Sequence, residues 1–134
     1  MSSAPSDFCP RYHHAVELVG RRWAGAIVRA LLAGPRRFNE LRGAIPDISD
    51  RMLAERLREL ELEGVLTRTV LPETPVRVEY ALTPKGHALE TAVLAIAAWA
   101  EHWVGLEDVR RRAEEKGRSP AGMASPAPEP AGRG

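Results

Sequence analysis

Nine arginines and no lysine fall between Arg21 and Arg58, against four acidic residues, Glu40, Asp47, Asp50 and Glu55. A guanidinium is a planar fork of donors that matches phosphate or a base edge, so this cluster points toward a polyanion although the whole chain carries a net charge of only +1. The alternative is a solvated helical surface. An excess of 17 arginines over 2 lysines is also what a GC-rich genome produces, so arginine usage alone decides nothing. A second cluster, Cys9 with Arg11, His13 and His14, could favour a thiolate and make Cys9 a reactive thiol. The competing reading has Cys9 buried in a helix contact. With one cysteine there is neither an intrachain disulfide nor a Cys-rich zinc cage. Cys9 and His13 are one helical turn apart, and His87 and His102 come much later, so the four well-placed ligands of structural zinc are missing and no metal site is expected. No nucleophile has a recognisable base motif and no glycine-rich loop follows a strand. The chain is therefore expected to be no enzyme and to need no cofactor.

The elements that position these groups follow from periodicity. The 134 residues suit one core, and 44% hydrophobic residues with only 5% aromatic imply a core of Leu, Val, Ile and Ala. Residues 12–19 predict a short helix that Gly20 ends. Residues 23–33 place Trp23, Ile27, Ala30 and Leu31 on one stripe, and Gly34-Pro35 stops that helix. Phe38, Leu41 and Ile45 mark a two-turn helix. After a break at Pro46, Ser49 can cap a helix over 50–63 with Leu53, Leu57 and Leu60 on one face, Met52 and Arg56 flanking, and Arg51, Glu55 and Arg58 opposite. Beyond Gly64 the period drops to two, and residues 65–71 and 76–82 read as a hairpin around a turn at 72–75. Thr83 and Pro84 open a long helix with a wide apolar band from Ala88 through Val93, Ile96, Trp99 and Trp103 to Val104. That band calls for a partner, and a second copy of the chain is the expected one. Trp23, Trp99 and Trp103 belong to such a dimer core or line a small-ligand pocket.

The fold class predicted is mainly α with a small β-hairpin, a winged helix-turn-helix that dimerises through its first and last helices. The unit over 38–63 is the helix-turn-helix, whose second helix enters a major groove by its leading end. Ser49, Asp50, Arg51 and Glu55 lie at that end. Arg51 suits guanine O6 and N7, Glu55 a cytosine amine, and Ser49 and Arg58 phosphates. Arg77 beside the wing turn either reaches the minor groove or pairs with Glu79 or Glu73. Arg36 and Arg37 are candidates for backbone contacts.

These residues also carry a resemblance. Cys9-Pro10, Val19 to Trp23, Gly34 to Leu41, Ile48 to Glu61, Gly64-Val65-Leu66, Pro75 to Tyr80 and Leu82 to Gly86 resemble, in order and spacing, the HxlR-type winged helix-turn-helix transcriptional regulators, relatives of the MarR type. The resemblance implies a homodimer that binds double-stranded operator DNA and, because some members sense oxidants or electrophiles through a cysteine before the first helix, redox sensing at Cys9; a small-molecule effector is also compatible with it. The alternative is a winged module that holds another protein and has no DNA. The chain is divided into a flexible start (1–8), the winged domain (9–104), a helix end (105–116) and a tail rich in Pro, Gly, Ala and Ser (117–134) expected to be disordered. No apolar run is long enough to cross a bilayer and the amino terminus lacks a secretory layout, which predicts a cytoplasmic protein without membrane contact.

Overall fold

The computed structural model describes residues 7–122, with side chains through residue 117. Residues 1–6 of the segment expected to be flexible and 123–134 of the expected tail lie outside the described residues. Two compact units are distinguished, one ending at Val93 and one beginning at Leu94.

In the first unit, α1 (Pro10–Val19) begins two residues earlier than the periodicity indicates, because Pro10 occupies its first position and Cys9 its N-cap. The helix buries none of its residues: Tyr12 and Val16 are exposed, and only Leu18 and Val19 at its end are half-buried. Helix α2 (Ala24–Leu31) follows and buries Ala24, Ile27, Val28 and Leu31. Trp23, expected as the first residue of this apolar stripe, is instead its N-cap, in the left-handed region at φ 75°. The chain must reverse through Gly20-Arg21-Arg22 before α2 can start, and Trp23 absorbs that turn; the Arg22 guanidinium lies 5.4 Å from its ring centroid.

Strand β1 (Arg36–Arg37) leads directly into α3 (Phe38–Ala44), where the Glu40 side chain accepts from the Arg37 backbone N–H at 2.8 Å. After Pro46, helix α4 (Asp50–Leu62) opens as expected, with the Ser49 hydroxyl accepting from the Met52 N–H at 3.0 Å. It closes on Gly64 at φ 83°: the Val65 N–H reaches back to the Leu60 carbonyl and that of Gly64 to Glu61, satisfying two carbonyls that the helix end leaves over.

Strands β2 (Leu66–Leu71) and β3 (Arg77–Leu82) form the hairpin, in register from Leu66 opposite Leu82 to Leu71 opposite Arg77. The two-strand expectation is corrected here. The sheet has three strands in the order β1-β3-β2, with Arg36 opposite Tyr80 and Arg37 opposite Glu79. A third strand answers the marginal stability of a lone hairpin and ties the wing to the start of α3. Leucines 53, 57 and 60 of α4 pack with Ile27, Leu31, Leu41, Leu66 and Leu82 into one core.

The single long helix expected after Thr83 is broken. Helix α5 (Pro84–His87) is one turn, capped by the Thr83 hydroxyl, which accepts from the Gly86 N–H and donates to the Gly64 carbonyl at 2.6 Å. Its turn is pressed against the strand, since a Cβ at Gly86 would collide with the Val65 carbonyl oxygen. The Leu89 N–H then bonds three residues back, to Gly86, and α6 (Glu90–Trp103) starts afresh. Val93 of α6 belongs to the first unit's core. In the second unit, the rest of α6 exposes Leu94, Ile96, Trp99 and Trp103. Helix α7 (Leu106–Gly122) continues the chain and exposes Leu106 and Val109; its backbone takes in residues 117–122 of the segment read as tail. Among the described residues no helix is long and apolar enough to cross a membrane.

Candidate nucleic-acid interface

Helix α4 divides its residues between two tasks. Leu53, Leu57 and Leu60 are buried at 2% exposure or less, so the register of the helix is fixed by the core. Arg51, Ala54 and Arg58 are consequently exposed and Glu55 is half-buried. The side chains of Arg51, Glu55 and Arg58 make no hydrogen bond or ion pair among the described residues. These are free donors and an acceptor on a rigid helical face, at hand for a ligand. Ser49 and Asp50 stand at the same end. The Ser49 oxygen accepts from the helix and keeps its O–H to donate outward.

Asp50 is not free. Arg42, on α3, donates through Nη1 to both of its carboxylate oxygens at 2.9 and 3.1 Å. Arg42 is one of the nine arginines of the basic cluster. Its signal in the sequence is only a cation eight positions before an anion, and nothing there says that the turn folds the two together.

The expected flanking contacts gather on the sheet. Arg37 and Arg77 border one groove of about 350 Å³, lined also by Phe38, Asn39 and the wing turn from Glu73 to Val78. Arg36 is half-buried on β1 and Arg37 is exposed. Arg77 pairs with both acids named as alternatives: Nη2 donates to Glu73 at 2.8 Å, and Nε lies 3.9 Å from Glu79. That Nε is buried and makes no hydrogen bond. The wing arginine is thus held by its own hairpin while also bordering the groove.

The basic cluster contains internal anchors as well. Arg56 is 13% exposed and serves the α1–α2 turn, not the outer face. At the far end of α4, His14 of α1 bonds through Nε2 to Glu63 at 2.8 Å, and Lys85 donates to the Glu63 backbone carbonyl at 2.6 Å. The hydrogen bond from His14 is the main reason the Glu63 carboxyl is held below its ordinary range.

Cys9 is exposed at the head of α1. Trp23 is half-buried in the first unit, whereas Trp99 and Trp103 of the second are 60% and 68% exposed. Among the described residues no three of His, Cys, Asp and Glu stand together as a metal site would require.

A family model described as HxlR-like helix-turn-helix matches residues 18–108. The HTH-type transcriptional regulator YvaP of Bacillus subtilis is 52% identical over 99 residues, 74% of this chain and 92% of its own length. The regulator YodB of Bacillus subtilis is 50% identical over 98 residues, covering 73% of this chain and 88% of YodB. Its reduced form superposes with a TM-score of 0.66 at 48% identity over 72% of this chain and 95% of that one, and it has also been solved diamide-treated and quinone-bound. The redox regulator HypR in its oxidized form gives a TM-score of 0.69 at 38% identity, covering 73% of this chain and all of HypR.

Proposed function

The chain belongs to the HxlR-like helix-turn-helix family of transcriptional regulators, and from that premise we propose that it binds a specific operator in double-stranded DNA as a homodimer. It is a DNA-binding regulator and not an enzyme. The observation that carries the finer reading is the outer face of α4. The core fixes the register of that helix and leaves Arg51 and Arg58 exposed and unpaired beside the capped leading end.

In this reading Arg51 and Glu55 address base edges, Ser49 and Arg58 address phosphates, and Arg36, Arg37 and Arg77 contact the flanking backbone or minor groove. Asp50 acts at the same end through Arg42. Two copies pair through their exposed apolar helices, which spaces two α4 helices about one duplex turn apart. The protein works in the cytoplasm.

The effector we propose is an oxidant or electrophile acting at Cys9. Support comes from the exposure of that thiol and from the relatives solved as diamide-treated and quinone-bound YodB and as oxidized HypR. If C9S responds to diamide or quinone just as the wild type does, Cys9 is not the sensor.

The deciding experiment is selection of bound duplexes from random oligonucleotides, followed by titration of the selected duplex across salt. Specific binding that weakens steeply as salt rises is expected, with R51A relaxing the preference at one base pair per half-site. A chain that selects no sequence and binds no duplex at low salt would be a protein-interaction module instead.

A further inference from the structure

Asp50 is the first residue of α4, and Arg42 commits both of its carboxylate oxygens through a single nitrogen, Nη1. One lone pair on each carboxylate oxygen is thereby committed to Arg42. The cation holding them has capacity left. Arg42 is 46% exposed along its side chain, and its Nε and Nη2 make no hydrogen bond or ion pair among the described residues. Anchoring one nitrogen restrains the guanidinium and leaves its Nε and Nη2 N–H groups without a partner among the described residues, donors that a phosphate can accept from. The position agrees: α3 is the first helix of the helix-turn-helix, the one that lies across the backbone, and Arg42 stands at its junction with the leading end of the second.

Resting on the regulator reading above, we infer that Arg42 is a DNA phosphate contact and that Asp50 is its positioning residue. The sign of one substitution separates this from a simpler role. An acid at a DNA-facing helix end repels phosphates, so if Asp50 did nothing for Arg42, neutralising it would tighten binding. If Asp50 aims Arg42, neutralising it weakens binding even though a negative charge is removed.

The test uses the full chain with the selected duplex and an unrelated duplex of equal length, titrated between 50 and 200 mM KCl, alongside thermal melts. R42Q removes one phosphate contact from each of the two protomers and is expected to flatten the log-log salt slope by about 1.8, so the affinity lost across that fourfold salt range shrinks about twelvefold on both duplexes. R42K should keep the slope. D50N should weaken binding severalfold while melting close to wild type, and should have little further effect in R42Q. A wild-type slope in R42Q overturns the phosphate contact, and D50N binding more tightly than wild type overturns the positioning role. Lower melting temperatures with unchanged slopes would make the pair purely structural and end the inference. Failure of the wild type to bind either duplex is distinguishable from these, because it removes the regulator reading and this inference together.

Discussion

The guanidinium Nε of Arg56 donates to the backbone carbonyl of Arg22 at 2.8 Å, so the helix whose outer face reads DNA in the proposed complex also holds the α1–α2 turn from its inner side. The same guanidinium reaches both oxygens of Glu59 at 3.2 Å, and Arg21 from the turn reaches Glu59 at 3.2 Å. Four arginines within one short stretch, Arg42, Arg51, Arg56 and Arg58, therefore do different work according to which face of which helix carries them.

Replacing Arg56 with methionine keeps the length of the side chain and removes its donors. The Arg22 carbonyl then loses its partner, and the turn loses its tie to α4. We expect a loss of about 1.5–3 kcal/mol of stability, the range for a hydrogen bond to a charged donor. Urea unfolding measures it, and the salt slope of DNA binding should stay at the wild-type value.

Gly86 and Gly43 predict opposite outcomes for the same change. A Cβ at Gly86 meets the Val65 carbonyl, which belongs to the backbone that Thr83 also binds and cannot simply move aside. G86A should cost about 1–3 kcal/mol, as overpacking does. Gly43 lies in α3 with open space where its Cβ would go, so G43A should stabilise by about 0.5–1 kcal/mol through backbone entropy. Thermal melts of the two variants should move in opposite directions.

The features legible in the sequence are those set by neighbours along the chain. Ser49 caps α4 and Thr83 caps α5 because a hydroxyl reaches an amide three residues on, and the leucine spacing of α4 determines which face is left for Arg51 and Arg58. What could not be read depends on distant pairing. Two residues of β1 show no period, and only their register with Tyr80 and Glu79 makes them a strand. The break between α5 and α6 has no breaker at Ala88 or Leu89; it falls where Gly86 lies against the Val65 carbonyl and the Leu89 N–H bonds only three residues back. The spacing of the arginines likewise gives a basic cluster, whereas the inward turn of Arg56 and the grip of Arg42 on Asp50 depend on contacts across 34 and 8 residues.

Acid should loosen the joint between α1 and α4. Glu63 has its carboxyl held low chiefly by the hydrogen bond from His14, with the charges of His14 and Lys85 adding to it. A depressed folded-state value contributes stability that is present above the unfolded carboxylate value and lost as pH falls through the folded one. The difference in urea midpoint between wild type and E63Q should therefore be present just above the carboxylate range and close as the pH drops below it. A constant difference across that range would show that the contact is not linked to this titration.

Trp99 and Trp103 are one turn apart on α6 and are 60% and 68% exposed, in line with the exposed Ile96. Indole rings are large apolar surfaces, each able to bury roughly 150–250 Å², and leaving two in water one turn apart is costly unless something covers them. In the proposed homodimer a second copy does so, and residues of this kind at the centre of an interface typically carry 2 kcal/mol or more. W103E should therefore raise the dimer dissociation constant at least about thirtyfold, a factor that follows from that energy. Sedimentation should show monomer at concentrations where the wild type is dimeric, while circular dichroism shows the helices intact. Affinity for a two-half-site operator should fall with dimerisation, and affinity for a single half-site should not. A W103E chain that still sediments as the wild-type dimer would place the contact between copies somewhere other than this face of α6.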